Sequence, residues 1–284
     1  MQPTSTHLSV TRVFICATLI TLLGVSSLEA QDRKKNLTSK IYMADVSGIT
    51  QIESGETIAD VTKKSVYAAQ GAVIETKEEA TNAMVLSNGT GIFCDSSTRL
   101  EVRKFVQEPF TPNRNDMETE PSISTTETFL SRGSVGLCTS KPVAGSSMTY
   151  NTPQASVRIK GRKSVIDVTS EGTKVSLLEG AITVQAGSRD AGGQTLNQGQ
   201  QALISPAGAI RIQNIPASEI SSLNEKVSMA CLARRTVYFD VKGQSGSTGF
   251  DAEADTNEIV AVEVTPPAVA PEVTVSAASI PRSN

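Results

Sequence analysis

Asp167, Glu171 and Glu179 lie close enough along the chain to suggest the paired-carboxylate chemistry that hydrolyses glycosides. Glu171 and Glu179, however, stand beside Gly172 and Gly180, and acids are common next to turn glycines because such positions are solvated. With no Trp and only four Tyr, platforms for stacking a sugar are scarce. His7 is the only histidine, and it falls in a segment that reads as a removable leader. Once that segment is gone, Ser-His-Asp and Cys-His nucleophiles, histidine acid-base work and His-containing zinc sites are all excluded. There is no phosphate-binding glycine loop followed by Lys and Ser/Thr, and no acidic calcium loop. The expectation is therefore a protein that is not an enzyme and uses no cofactor or metal.

Two other groups of residues could do chemistry. Arg158, Lys160, Arg162 and Lys163 crowd a single turn and form a candidate interaction turn. A charged turn is most often simply solvated, but this one could meet an acidic surface, an anionic polysaccharide or the acidic C-terminal stretch of the same chain. Among the cysteines, Cys16 falls in the leader, leaving Cys94, Cys138 and Cys231, too few for a four-thiolate site. Cys94 and Cys138 lie in the strand-like contexts GIFCDSS and SVGLCTS and make the candidate disulfide. It would close a loop of about 45 residues, worth roughly 4 kcal/mol in an oxidising compartment. Equally, both are small buried hydrophobes.

The elements that would position these groups are short strands. From Tyr150 to Ser205, β-branched runs alternate with glycine-centred turns: Val157 and Ile159, then Val165, Ile166 and Val168, then Val175, Leu177 and Leu178, then Ile182 and Val184. Each run is about 4 to 7 residues, the length of a strand rather than a helix. Gly161, Gly172, Gly180, Gly193 and Gly199 mark the turns between them. Val165 and Leu177 are the positions expected to be most deeply buried.

Several elements of this stretch occur in a familiar order: Thr152-Pro153, Ala155, Lys160-Gly161-Arg162, Leu177 to Val184, and Gly199-Gln200. Upstream come GAVIET, MVLSNGT, TRLEVRKF, QEPF and LSRGSVG. Together they resemble the FecR-like domain over roughly residues 65 to 205, through many weak motifs in the right order. Where that family usually has Arg-Gly-Thr, this chain has Lys160-Gly161-Arg162. The resemblance implies a β stack leaning towards a solenoid. It also implies a role in envelope signalling, in which such a domain contacts an outer-membrane receptor while a cytoplasmic segment controls a sigma factor. No cytoplasmic domain is read before the apolar segment here, so receptor or matrix contact is the part of that role expected to remain.

Along the rest of the chain, Arg12 precedes the apolar run Val13 to Val25, followed by Ser26 to Ala30. A run of about 13 residues fits a secretory leader cleaved after Ala30 better than a membrane span, which needs about 20. An uncleaved signal anchor is the alternative. Residues 31–39 are a polar lead-in, and residues 40–213 form the β domain. Asn88-Gly89 is a hairpin turn, and Leu100, Val102 and Val106 face inward against Arg99, Glu101 and Arg103. Residues 107–127, with three prolines and little apolar content, read as an exposed loop whose entry is pinned by Phe105 and Phe110.

Residues 214–250 hold a helix near 216–234 and the short strand TVYFDVK. On the helix, Ile220, Leu223, Val227 and Ala230 or Cys231 form an apolar stripe. Residues 251–284 read as a disordered or extended tail with EIVAVEV as an add-on strand. The tail carries six acids against one Arg, a local balance of −5, whereas residues 31–250 hold 24 basic and 22 acidic residues.

Aromatics make up 4% of the chain and hydrophobic residues 38%, so Val, Ile, Leu and Ala must fill the core, which suits thin stacked sheets. The expected fold is all-β, a short-strand β-solenoid-like stack or a flattened two-sheet sandwich, with one C-terminal amphipathic helix. No basic, aromatic-interleaved face points to nucleic acid, and no stable span remains after leader cleavage. The expected function is an exported, non-enzymatic module, periplasmic, cell-surface or secreted, that binds a protein or envelope polysaccharide. A self-associating surface or matrix protein is the alternative.

Overall fold

The structure is a computed structural model, and it describes residues 39–111, 116–187, 192–242 and 258–264. The expected leader, almost all of the lead-in, the Gly/Ser stretch after Lys242 and most of the tail lie outside the described residues.

In chain order the strands are β1 (Lys40–Ser47), β2 (Thr50–Ser54), β3 (Thr57–Asp60), β4 (Val66–Ala68), β5 (Val73–Thr76), β6 (Thr81–Leu86), β7 (Gly91–Cys94), β8 (Arg99–Gln107) and β9 (Ser124–Cys138). They continue as β10 (Ser147–Asn151), β11 (Ala155–Ile159), β12 (Lys163–Thr169), β13 (Gly172–Glu179), β14 (Ile182–Ala186), β15 (Gln194–Leu196), β16 (Gln200–Ile204) and β17 (Ile210–Asn214). The helix α1 (Ala217–Arg234) and the strands β18 (Val237–Lys242) and β19 (Glu258–Glu263) follow.

The pairings resolve into two facing sheets. The first runs β3-β2-β5-β8-β9-β10-β11-β14-β15. The second runs β4-β1-β6-β7-β9-β12-β13-β16-β17. From β10 onward, hairpins are laid down alternately: β10–β11 and β14–β15 in the first sheet, β12–β13 and β16–β17 in the second. Each hairpin buries one face of its neighbours, so the chain grows as a stack. All these pairs are antiparallel except β9–β10. A coil wound in one direction would give parallel neighbours throughout, so of the two expected architectures the flattened sandwich is the one formed.

Strand β9 belongs to both sheets. Residues up to Arg132 pair with β8, and Gly133 onward pairs with β12 and β7. Gly133 makes this passage possible. Its φ is +89°, and a Cβ there would lie 2.3 Å from the Thr98 hydroxyl.

The core between the sheets is aliphatic, with Leu100, Leu130, Val157, Ile166, Leu177 and Val184 all buried. Leu177 faces this core, whereas Val165, equally buried, points the other way into a cluster with Leu223 and Val227 of α1. Along β8 the expected inward set is corrected. The register shifts between Val102 and Lys104, so Phe105 turns inward and Val106 turns half out. A bulge of this kind inverts the alternation beyond it.

Helix α1 lies across the outer side of the second sheet. Leu223, Val227, Ala230 and Ala233 are buried beneath it, while Ile220, expected on the same stripe, is exposed. Two glycines let the helix sit close. A Cβ on Gly91 would lie 2.1 Å from the Ala230 carbonyl oxygen, and one on Gly136 would lie 2.7 Å from that of Lys226. Lys226 Nζ reaches Asp95 at 2.9 Å and the Ser134 hydroxyl at 2.7 Å, and Lys174 Nζ reaches Glu219 in the first turn at 2.8 Å.

The β18–β19 hairpin extends the cover. Val237, Phe239, Val241 and Ile259 pack against Tyr42, Ala83 and Phe93 of the second sheet. The EIVAVEV run is therefore a docked strand, and its acids anchor it. Glu258 pairs with Lys40 at 3.1 Å, while Glu263 accepts from Tyr42 Oη at 3.1 Å and from Lys64 Nζ at 2.6 Å.

The disulfide expectation is corrected. Cys138 is bonded to Cys231, with Cα atoms 5.1 Å apart, and Cys94 is free and buried. The cause is the two-residue period of a strand. Cys94 lies opposite Val135, and both belong to the core between the sheets. Cys138, three residues beyond Val135, points to the outer side, where it packs among the residues beneath α1. Burial pushes the Cys94 thiol up to about 12, so it stays protonated.

Candidate interaction surfaces

The two sides of the sandwich are treated unequally. The outer side of the second sheet carries two apolar clusters roofed by α1 and the β18–β19 hairpin. On the outer side of the first sheet no such cluster forms among the described residues. Alternation brings polar groups there instead. Over β5, β8 and β9 they are charged: Glu75 is held by Lys77 at 2.7 Å, Arg99 at 2.9 Å and Arg132 at 3.1 Å. The Lys77 hydrogen bond, with help from both arginines, holds the Glu75 carboxyl below the usual carboxylate range despite the opposing effect of burial. Arg103 stacks over the Phe129 ring, 3.9 Å from its centre. Asn151 donates to Glu127 at 2.9 Å. Over β10, β11 and β14 the face is nearly neutral, and Arg158 stands between Thr149 and Thr183, its register partners.

The candidate interaction turn is divided by the fold. Arg158 points out from the open face, and Lys160 is exposed at the turn. Neither makes an ion pair with a described residue. Arg162 is paired with Glu118 and approaches Glu179 at 3.9 Å, while Lys163 pairs with Glu179 at 2.6 Å. Half of the basic cluster is thus neutralised within the chain. Glu118 also receives Arg234 at 3.4 Å. Burial works against its ionisation, but the Arg234 and Arg162 guanidiniums outweigh this and hold its carboxyl low.

Glu118 belongs to the segment expected as an exposed loop over residues 107–127, and that expectation is corrected in part: Glu108, Pro109, Thr111, Asp116 and Glu118 are exposed, but other residues of the segment are not. Gln107, Phe110, Glu120, Ser124 and Thr126 are buried. Phe110 joins the cluster beneath the β18–β19 hairpin. The polar residues are buried because they meet polar partners. The Gln107 and Asn88 side chains bond Ser87 and Ser124, and Thr119 and Lys141 form a short backbone bridge in which the Glu120 N–H donates to the Lys141 carbonyl and the Lys141 N–H to that of Glu118. Glu120, 6% exposed, accepts hydrogen bonds from the Ser124 hydroxyl and, at 3.2 Å, from the Val143 backbone N–H. It lies in the wall between a cavity of about 190 Å³, which Arg234 also lines, and one of about 270 Å³ that Lys160 and Gly161 border. Composition gave no sign of this seam, because a hydroxyl-rich stretch looks the same whether solvated or internally bonded.

The acids considered for catalysis are held apart. Glu179 pairs with Lys163 and Asp167 lies opposite Lys174, so the two carboxylates sit about 13 Å apart along one hairpin at the strand rise. Asp167 is near Lys174 at 3.8 Å and Lys226 at 3.5 Å, and Glu171 is exposed in the β12–β13 turn. Among the described residues there is no cluster of His, Cys, Asp and Glu that could hold a metal ion, and no helix long and apolar enough to cross a membrane.

No protein-family model and no curated protein sequence matches the chain. Two crystal structures of a protein from Parabacteroides distasonis ATCC 8503, described as a suggested anti-sigma factor, are similar to it. One, at 2.50 Å resolution, has 15% identity and a TM-score of 0.40, covering 53% of this chain and 62% of the other. The second, at 1.65 Å, has 16% identity and a TM-score of 0.39, covering 53% and 63%. This chain thus spans less than two thirds of the length of either structure.

Proposed function

We propose that the chain is an exported, non-enzymatic, FecR-like module that binds a protein or envelope component through the open face of its first sheet, with a role in envelope signalling. The observation that carries this reading is the inequality of the two sides. A helix, a hairpin and a disulfide cover one sheet, while the other presents a broad face of Arg, Thr, Ser, Asn and Glu side chains. Flat polar sheet faces carrying few unpaired charges suit a macromolecular partner better than a small substrate. The Cys138–Cys231 bond favours an oxidising compartment and so supports export. The dispersal of Asp167, Glu171 and Glu179 among cations and solvent argues against hydrolysis.

The test is capture of a partner from envelope extract by the purified mature chain, repeated with two charge changes. Arg158→Glu together with Thr183→Glu on the open face should abolish capture. Arg211→Glu, on the outer side of the second sheet, should leave it intact. Capture that survives the first pair, or turnover of a glycan by purified protein, would refute the reading.

A second reading, self-association into a surface or matrix layer, draws on one observation. Ile49, Ile58 and Val66 are 62%, 67% and 42% exposed, and all lie in the β1–β4 region where the outer edges of both sheets end. Unpaired edges with exposed apolar residues favour edge-to-edge growth. Concentration-dependent oligomers that Ile58→Lys and Val66→Lys dissolve would support this alternative, and a monomer at every concentration would dismiss it.

A further inference from the structure

The cavity of about 270 Å³ beside Glu120 has the makings of a second site, separate from the open face. Its inner wall holds a carboxylate that is 6% exposed yet has no cationic partner among the described residues. The nearby guanidiniums are spent elsewhere: Arg162 and Arg234 both engage Glu118 instead. Two hydrogen bonds, from the Ser124 hydroxyl and the Val143 N–H, orient the Glu120 carboxyl group, and neither donor is a cation. A ligand cation seated in the cavity would supply the counter-charge that no described residue gives this carboxyl group. Lys160, exposed and without an acid partner among the described residues, also lines the cavity. The rest of the lining is hydroxyl-rich, with Thr90, Ser140 and Ser146 among its residues, together with the apolar Met148 and Ile159.

We propose that this cavity binds a small zwitterion of the α-amino-acid type. Its ammonium sits against Glu120, its carboxylate faces Lys160, and the hydroxyls receive any polar side group. The volume lies just below the range usual for drug-sized ligands, which suits a compact molecule and not a folded partner. The site rests on residues other than Arg158 and Thr183, so it stands or falls independently of the open-face reading.

The experiment is calorimetric titration and thermal shift on the full exported chain with four probes: glycine and L-serine as zwitterions, ethanolamine as ammonium alone and glycolate as carboxylate alone. The expected order is glycine and serine tightest, ethanolamine weaker and glycolate weakest. Glu120→Gln, which keeps the side chain's shape and an acceptor oxygen, should weaken serine about tenfold or more. Lys160→Ala, at an exposed position, should bring serine down to the level of ethanolamine and leave ethanolamine unchanged. If Glu120→Gln fails to fold, the Lys160→Ala comparison decides alone. Absence of serine and glycine binding at millimolar concentration, glycolate binding as well as serine, or serine affinity indifferent to either substitution would each overturn the proposal.

Discussion

At the scale of single residues, the local sequence told more about burial than about direction. Val165 and Leu177 were expected to be buried and both are, but they point to opposite sides of the second sheet, because both sides are apolar there and the pattern alone cannot choose. The same ambiguity misdirected the cysteines, since a strand context says nothing about the side a thiol faces. Gly91 and Gly136 carried no readable signal either, as their role depends on a helix that arrives from far along the chain. Gly136→Ala should lower the melting temperature by the equivalent of about 1–3 kcal/mol, the usual cost of overpacking, because the added methyl meets helix backbone that cannot swing aside.

The salt-bridged Glu75 gives a pH dependence whose sign is fixed. Its carboxyl titrates lower in the folded chain than unfolded, so its contribution is fully present above the unfolded carboxylate value of about 4.3 and is lost as pH falls through the depressed folded value. Acid melts of the wild type and of Glu75→Gln should therefore converge as pH falls below about 4, with a separation near neutrality of at most about 1 kcal/mol for a pair that solvent still reaches. A separation that grows towards acid would contradict the assignment.

At the scale of elements, strands with one apolar side were readable by their alternation, and α1 was readable by its spacing of three and four. What stayed hidden was held by polar contacts or by irregularity. The bulge in β8 exchanged Phe105 for Val106, and the segment before β9 is seated by Asn88, Ser124 and Glu120, residue types that elsewhere signal solvent. The docking of β19 through Glu258 and Glu263 was likewise masked by the acidity of the tail around it. The element with the sharpest prediction is α1. Its tie to β9 closes a loop with a sequence separation of 93, for which the loop-entropy estimate is about 4–5 kcal/mol. Peptide mapping of non-reduced protein should join the peptides holding Cys138 and Cys231, with Cys94 alkylated only after denaturation. Cys231→Ser should cost about 2–5 kcal/mol and loosen the helix end before the sandwich melts. A Cys94–Cys138 peptide would contradict the packing described above.

At the scale of the whole molecule, the sandwich has a roofed side and a bare side, and the proposed binding role rests on that division. Composition pointed to thin sheets filled by aliphatic residues, and the FecR-like motif order pointed to a stack, but neither said which side would be covered. That outcome depends on α1 and the β18–β19 hairpin choosing the sheet whose outer side is apolar and notched by glycine. The basic turn shows the same limit: four neighbouring cations in sequence became two exposed ones and two internally paired ones once Glu118 and Glu179 were brought beside them.

The most direct measurement is side-chain footprinting of the purified protein, free and in complex with any partner that the proposed envelope capture yields. The bare side should be protected at Phe129, Arg158 and their neighbours, while Met229 and Leu232 on the roofed side stay equally reactive in both states. Protection confined to Met229 and Leu232, with Phe129 and Arg158 unchanged, would contradict the account.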